Sequence, residues 1–109
     1  MNLIKVTEGS TKLWVPDAKK YNLDSKMPVF FNPVMRLNRD ITVDIVKTMN
    51  KPKSLDLLAG TGAKGIRLAV EAGSKVDLND ANPSAVNLIK RNAKLNKVDV
   101  EVFNESANK

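Results

Sequence analysis

Cysteine and histidine are both absent from this chain of 109 residues. It can therefore form no disulfide, no zinc site with thiolate or imidazole ligands, and no nucleophile that depends on either residue, and we expect no bound metal. Long hydrophobic runs are missing too, since no apolar stretch approaches the roughly 18 residues of a membrane-spanning helix. The N-terminus, Met-Asn-Leu-Ile-Lys-Val-Thr-Glu, lacks the basic start and apolar core of a signal peptide. The sequence thus predicts a cytoplasmic protein without membrane association.

The charged residues are unevenly balanced, with 18 Lys and Arg against 12 Asp and Glu and a net charge of +6. Such an excess favours a polyanion such as RNA, because binding releases counterions. The charges are spread along the chain, however, so a basic surface without a nucleic-acid partner stays open as an alternative. At this length the chain is one small domain or part of one, which buries only roughly 60 to 70% of its unfolded surface.

The most informative stretch is an apolar strand, residues 55–58, followed by the turn Gly60-Thr61-Gly62-Ala63-Lys64-Gly65. A buried parallel strand is expected to be a compact apolar run, and glycines after it let the backbone approach a ligand closely. Asp80 lies twenty residues after Gly60, at the end of a second strand over residues 75–79. An acid there can accept both hydroxyls of a ribose, so the pattern predicts a nucleoside-bearing cofactor.

The remaining elements surround this unit. Residues 4–6 and 13–15 alternate as in a β-hairpin. A helix capped by Asn38 or Asp40 is expected to run to about Met49, because apolar residues recur at helical spacing, although a strand over 41–45 stays possible. These apolar residues are Ile41, Ile45, Val46 and Met49.

A helix over about 64–72, a second helix starting at Asn82-Pro83 and a third strand over 98–103 complete an α/β order. Strand, helix and strand in so few residues imply right-handed parallel crossovers. Three strands form only half of a doubly wound sheet, so we expect an uncovered strand edge and a chain truncated at its C-terminus.

The glycine turn also satisfies the dinucleotide pattern G-x-G-x-x-G, and an NAD-binding half-domain is the alternative. Asp56 argues against it, because a carboxylate beside the helix N-terminus would repel a pyrophosphate. S-adenosylmethionine carries no phosphate and has a cationic sulfonium and ammonium, so an acid at the strand end favours it. On this reasoning Asp56 and Asp80 bind S-adenosylmethionine, and Gly60, Gly62 and Gly65 shape the turn.

With these motifs in place, the chain resembles the class I S-adenosylmethionine-dependent methyltransferases. The run Val-Phe-Phe-Asn-Pro-Val-Met-Arg-Leu-Asn-Arg-Asp at 29–40 is similar to the N-terminal region of archaeal tRNA (guanine(26)-N2)-dimethyltransferases. The resemblance implies a Rossmann-like sheet, with residues 1–40 as an N-terminal hairpin and cofactor- or tRNA-contacting segment and 41–109 as the first half of the methyltransferase domain. It also implies transfer of two methyl groups to the exocyclic N2 of a tRNA guanosine.

The same resemblance assigns further residues to the cofactor. Arg36, Arg67 and Asp80 stand where the family holds S-adenosylmethionine. The family's Asp-Ala-Asn adenine contact is here Glu105-Ser106-Ala107-Asn108, so Ser106 stands where an acid is expected and Glu105 is its neighbouring substitute. The catalytic acid is expected beyond Lys109, which leaves a catalytically incomplete cofactor- or RNA-binding fragment as an alternative function.

The tRNA partner has its own candidate contacts. Lys19, Lys20 and Arg39 are basic residues of the N-terminal segment that could meet tRNA phosphates, although each also suits a solvated surface.

Overall fold

Two sheets and three helices make up the described part of the computed structural model, which covers residues 2–17, 19–20, 28–50, 52–56 and 58–106. Strands β1 (Leu3–Glu8) and β2 (Thr11–Pro16) form the predicted antiparallel hairpin. Glu8 pairs with Thr11, so the turn is only Gly9-Ser10, and Gly9 has φ +57°. The hairpin is therefore longer and more tightly closed than the sequence indicated.

Helix α1 (Arg36–Lys47) follows a 3-10 turn over Pro33–Met35. The side chain of Asn32 accepts a hydrogen bond from the Val34 amide and caps this turn. The predicted cap at Asn38 or Asp40 is therefore wrong, because the chain is already helical there.

The predicted apolar face of α1 is also wrong in part. Val43 is buried and Val46 packs against the core. Ile41, Ile45 and Met49 are each about half exposed. The spacing identified a stripe of apolar residues, but it does not determine which of them pack against the core.

The second sheet is parallel, as predicted, and its strand order is β3-β4-β5. Its strands are β3 (Lys53–Asp56), β4 (Lys75–Asn79) and β5 (Glu101–Phe103), and α2 (Ala63–Glu71) and α3 (Pro83–Leu95) form the connections. The third strand is shorter than the predicted 98–103. The strand begins later in the sequence because the Val98 amide still donates to the Ala93 carbonyl at 3.1 Å and closes the end of α3.

Strand β3 pairs only with β4 among the described residues, so its other edge is open. Leu55 is 64% exposed and Leu58 is 73% exposed. The expectation of a buried first strand is therefore wrong, because in this chain it is an edge strand with an uncovered face. This edge is what half of a wider sheet leaves open.

The main core lies between the sheet, the hairpin and the helices. Its fully buried side chains include Leu13, Ile66, Leu78 and Ile89. No helix in the described ranges is long and apolar enough to cross a bilayer.

Candidate functional site

A cavity of about 550 Å³ opens at the carboxyl ends of β3 and β4. This is the edge where open parallel sheets bind ligands. Its walls come from the segment before α1 and the first turn of α1, from the end of β3 and the glycine turn, and from the start of α3. The lining residues are Pro28, Val29, Phe30, Phe31, Asn32, Met35, Arg39, Asp56, Leu58, Ala59, Gly60, Thr61, Ala63, Lys64, Asp80, Asn82 and Ala85. Three of the residues predicted to bind the cofactor therefore meet here: Asp56, Gly60 and Asp80.

Asp80 is fixed by its two neighbours in the cavity. Its Oδ2 accepts from the Gly60 amide at 2.9 Å, and its Oδ1 accepts from the Asn82 amide at 2.9 Å. Each carboxylate oxygen can accept more than one hydrogen bond, so both remain able to bind a ligand hydroxyl. The twenty-residue spacing thus joins the glycine turn to the second strand through a direct hydrogen bond.

Asp56 lies at the end of β3 and its Oδ1 accepts from the Leu58 amide at 3.3 Å. Burial raises the pKa of Asp56, the Leu58 amide and the charge of Lys64 act in the opposite direction, and the negative charge of Asp80 adds to the increase. A carboxylate whose charged form is disfavoured in this way gains most from a positive ligand group.

The glycine turn lies close to the segment before α1, and its role toward a cofactor stays a prediction. Gly60 has φ +57°, and a Cβ there would lie 2.9 Å from the Phe30 carbonyl oxygen. Gly62 has φ +83° and caps α2. Within the described chain, the close approach at Gly60 is thus to Phe30, and the turn seals one wall of the cavity.

Gly65 serves packing between α2 and the sheet. A Cβ on it would lie 2.6 Å from Leu78 Cδ2 and 3.1 Å from Val76 Cγ1. Gly65 and Leu55 both line a smaller cavity of about 320 Å³ beside β3.

Arg67 lies in a cluster of ion pairs outside the cavity lining. Its Nε and Nη2 donate to Glu71 at 2.7 and 3.0 Å, and its Nη1 donates to Asp40 at 2.6 Å and to Glu8 at 3.4 Å. The hydrogen bond to Glu71 raises the pKa of Arg67 despite its burial, and its side chain is only 3% exposed. The guanidinium of Arg67 thus forms ion pairs with three carboxylates. Its role in cofactor binding stays a prediction.

Two acids of this cluster, Glu71 and Asp40, are held in their charged forms. Burial alone would raise the pKa of Glu71, but hydrogen bonds from Arg67 and Thr11 outweigh it and the pKa lies below its ordinary value. A hydrogen bond from Arg67 likewise lowers the pKa of Asp40. The cluster connects the hairpin turn with α1 and α2.

Three other residues predicted to bind the cofactor, Arg36, Glu105 and Ser106, are not among the described lining residues of the cavity. Arg36 is exposed, with Nε 3.8 Å from Asp40. The backbone of Glu105 is clasped by the Asn79 side chain at 2.9 Å on both its amide and its carbonyl, and Ser106 is exposed. Ala107 lies outside the described residues. Their cofactor roles stay predictions.

Sequence reasoning missed Arg39 as part of this site. Arg39 was grouped with exposed tRNA contacts, but it is buried against Glu8 and lines the cavity. That hypothesis is wrong for Arg39, because a buried and paired guanidinium cannot meet a phosphate on the surface. No local signal in the sequence could have found it, because its partner Glu8 lies 31 residues away in the chain.

Comparisons with known proteins identify the family of this chain. The family model described as N2,N2-dimethylguanosine tRNA methyltransferase matches residues 9–109. The chain belongs to this family. Its alignment includes the glycine turn, both cavity acids and the segment that contains Phe30 and Phe31.

Curated relatives carry the family's enzyme name. The tRNA (guanine(26)-N(2))-dimethyltransferase of Sulfurisphaera tokodaii is 44% identical over 99% of this chain and 31% of its own length. The protein of the same name from Methanococcus maripaludis strain C6 is 46% identical over 94% of this chain and 30% of its own length. The chain therefore spans about a third of the relatives that it matches.

Among solved structures, Trm1 from Pyrococcus horikoshii in complex with S-adenosyl-L-methionine matches with a TM-score of 0.74 and 44% identity. The match covers 86% of this chain and 24% of that one. The fold is thus that of the first part of a dimethylguanosine tRNA methyltransferase, and the predicted resemblance is confirmed.

Proposed function

We propose that this chain supplies the cofactor-binding part of a tRNA (guanine(26)-N2)-dimethyltransferase and binds S-adenosylmethionine in the cavity between Phe30 and Asp80. One observation carries the proposal: Asp56 and Asp80 line the same cavity, at the carboxyl ends of adjacent parallel strands. Support also comes from the family and from the S-adenosyl-L-methionine complex of the Pyrococcus horikoshii relative.

The hydrogen-bond acceptors, charges and apolar surface of the cavity suit this cofactor. Asp80 is held by two amides and can accept from ribose hydroxyls. Asp56, whose pKa burial raises, gains from a nearby cation such as the sulfonium or the ammonium group. Phe30 and Phe31 add apolar wall beside the turn, which suits the adenosine part of the ligand.

A dinucleotide fits the same turn less well. A pyrophosphate needs free amides at the start of the helix. Here the Gly60 amide donates to Asp80, the Gly62 amide to Ala59 at 2.8 Å and the Ala63 amide to Thr61 at 3.3 Å. A pyrophosphate would therefore compete with internal hydrogen bonds and face two carboxylates.

In the whole enzyme, S-adenosylmethionine supplies an electrophilic methyl group on its sulfonium. The contribution of this chain is positioning: Asp80 orients the nucleoside, Asp56 favours the cationic end, and the Phe30 segment excludes water. The acceptor is the exocyclic N2 of guanine, a weak nucleophile because its lone pair is conjugated with the ring. A base inside a folded tRNA must also leave its stack before it can react.

Isothermal titration of the chain with S-adenosylmethionine tests the proposal. We expect binding by the wild type and at least a tenfold weaker Kd for Asp80→Asn. The side-chain NH2 of asparagine would face a backbone amide or a ribose hydroxyl where a carboxylate oxygen now accepts a hydrogen bond. The matched control is Asp77→Asn, at a half-buried acid on the same strand that does not line the cavity. No binding by the folded wild type, or equal binding of NAD, would contradict it.

A second function is favoured by the open edge of β3 and the exposed Leu55 and Leu58. In that reading the 109-residue chain binds the cofactor but does not methylate tRNA by itself. A methylation assay on unmodified tRNA, run beside the titration, separates the two: binding without turnover favours the fragment, and turnover rejects it.

We also propose that the whole protein acts on tRNA in the cytoplasm. Lys19 and Lys20 are exposed and remain candidate phosphate contacts. Replacing both with glutamine should reduce the salt dependence of tRNA binding by about one unit of slope per contact. An unchanged slope would remove them from the interface.

A further inference from the structure

We infer that Glu8 is a positioning residue for the cofactor-binding cavity, and that it acts through Arg39 on the wall formed by Phe31 and Asn32. The inference rests on the proposed function only in taking S-adenosylmethionine as the ligand. Glu8 lies at the end of β1 and does not line the cavity.

The contact between Glu8 and Arg39 is bidentate and buried. Oε1 of Glu8 accepts from Arg39 Nε at 2.8 Å, and Oε2 accepts from Arg39 Nη2 at 2.7 Å. The side chain of Glu8 is 5% exposed and that of Arg39 is 10% exposed. Two parallel charge-assisted hydrogen bonds fix the plane of the guanidinium as well as its position.

The other side of Arg39 faces the wall. Its Nη1 and Nη2 both donate to the Asn32 carbonyl at 3.3 Å, and its Cζ lies 4.8 Å from the centre of the Phe31 ring. Asn32 and Phe31 both line the cavity. The orientation that Glu8 imposes on Arg39 is therefore passed on to the backbone and an aromatic ring of the wall.

A carboxylate is required at this position by the charges around it. Nη1 of Arg67 lies 3.4 Å from Glu8 Oε1, so Glu8 stands between two arginines. Without its charge the two guanidinium groups would face each other with less compensation. Glutamine keeps the size of the side chain but replaces one acceptor with a donor, so it cannot accept both hydrogen bonds from Arg39.

The test is isothermal titration with S-adenosylmethionine at a temperature where circular dichroism shows each variant to be folded. Glu8→Gln should weaken the Kd at least tenfold. The control is Thr11→Val, which removes a hydrogen bond of 2.7 Å to Glu71 at the far end of the same cluster and should leave the Kd within twofold. In an Arg39→Met background, Glu8→Gln should change the Kd less than twofold, because its effect passes through Arg39.

Three results would overturn the role of Glu8: an unchanged Kd for Glu8→Gln, an equal weakening in the wild-type and Arg39→Met backgrounds, or an equal weakening in Thr11→Val. Should Glu8→Gln not fold, Glu8→Asp keeps the charge on a shorter side chain and is expected to weaken the Kd at least threefold. A Kd within twofold of the wild type would then overturn the inference. No binding by the folded wild type would instead reject the proposed function.

Discussion

Asn92 in α3 and Asn96, the residue that caps the C-terminal end of α3, lie one helical turn apart and clasp the outer edge of β2, and only the buried Asn92 should be costly to replace. Oδ1 of Asn92 accepts from the Trp14 amide at 2.6 Å and its Nδ2 donates to the Trp14 carbonyl at 3.0 Å. Asn96 makes the same pair of contacts with Lys12 at 2.9 and 2.6 Å. Each side chain has a third partner, but only that of Asn92 is fully buried: Nδ2 of Asn92 donates to the Thr61 carbonyl of the glycine turn at 2.9 Å, and Nδ2 of Asn96 donates to the Asn92 carbonyl at 2.8 Å.

The difference in burial sets the expected magnitudes. Asn92 is fully buried, and Asn92→Leu would leave the buried Thr61 carbonyl and two partly buried groups of Trp14 without partners. At about 1 to 3 kcal/mol for a buried unsatisfied group and about 1 kcal/mol for a partly buried one, the loss is about 3 to 5 kcal/mol. The contacts of Asn96 with Lys12 are exposed, so water replaces them. The Asn92 carbonyl that Asn96 Nδ2 also reaches keeps the Asn96 amide as a donor at 3.2 Å, so the loss is about 1 kcal/mol or less.

Urea unfolding of both leucine variants measures the difference, with circular dichroism and the fluorescence of Trp14, the single tryptophan, as probes. Leucine is a slightly better helix former than asparagine in a helix interior, which favours Asn92→Leu and not the C-cap variant Asn96→Leu, so propensity reduces the expected difference and cannot produce it. The reasoning would be refuted if Asn92→Leu lost no more unfolding free energy than Asn96→Leu.

Three further predictions concern the interior and the charges. Gly65→Ala should cost about 1 to 3 kcal/mol in urea unfolding, because its Cβ would lie 2.6 Å from Leu78, and Leu78→Val in the same chain should reduce that cost; simple additivity would contradict the contact. The lowered pKa values of Asp40 and Glu71 contribute stability that is present above their unfolded values and lost as pH falls through the folded ones, so acid should destabilise the chain and a flat acid profile would contradict this. The raised pKa of Asp56 contributes stability at low pH, and this stability is lost as pH rises through the folded pKa. The affinity for S-adenosylmethionine should rise over the same pH range, because Asp56 becomes charged. Isothermal titration of Asp56→Asn should show no such rise.

Local patterns in the sequence predicted the parallel sheet well. The strand, glycine turn and helix lie within a few residues of their predicted positions, because each is determined by apolar periodicity and by residues close in the chain. The start of α1 was misplaced because Asn38 and Asp40 are residue types that commonly cap helices, whereas α1 continues directly from the 3-10 turn that Asn32 caps. Exposure of Leu55 depends on what covers the sheet edge, which periodicity does not contain.

The site was predictable where one motif carried it and not where distant segments meet. Asp80 and Gly60 were paired by their spacing, and a hydrogen bond of 2.9 Å joins them. Arg39 was missed because its partner Glu8 lies 31 residues away, and no local pattern separates a buried arginine from an exposed one. The resemblance supplied Arg36 and Arg67, which the structure leaves outside the cavity lining.

The placement of arginines explains how a basic chain can carry a site for a cationic ligand. The net charge is +6, yet Arg39 and Arg67 form ion pairs with Glu8, Asp40 and Glu71 inside the fold. Asp56 and Asp80 are left in the cavity with Lys64 as the nearby unburied cation among its described lining residues. The cavity therefore has a local charge opposite in sign to that of the whole chain. Long-range attraction for a polyanion and short-range attraction for a small cation can thus act in one molecule, because salt screens the first over about 10 Å and a partly buried site much less.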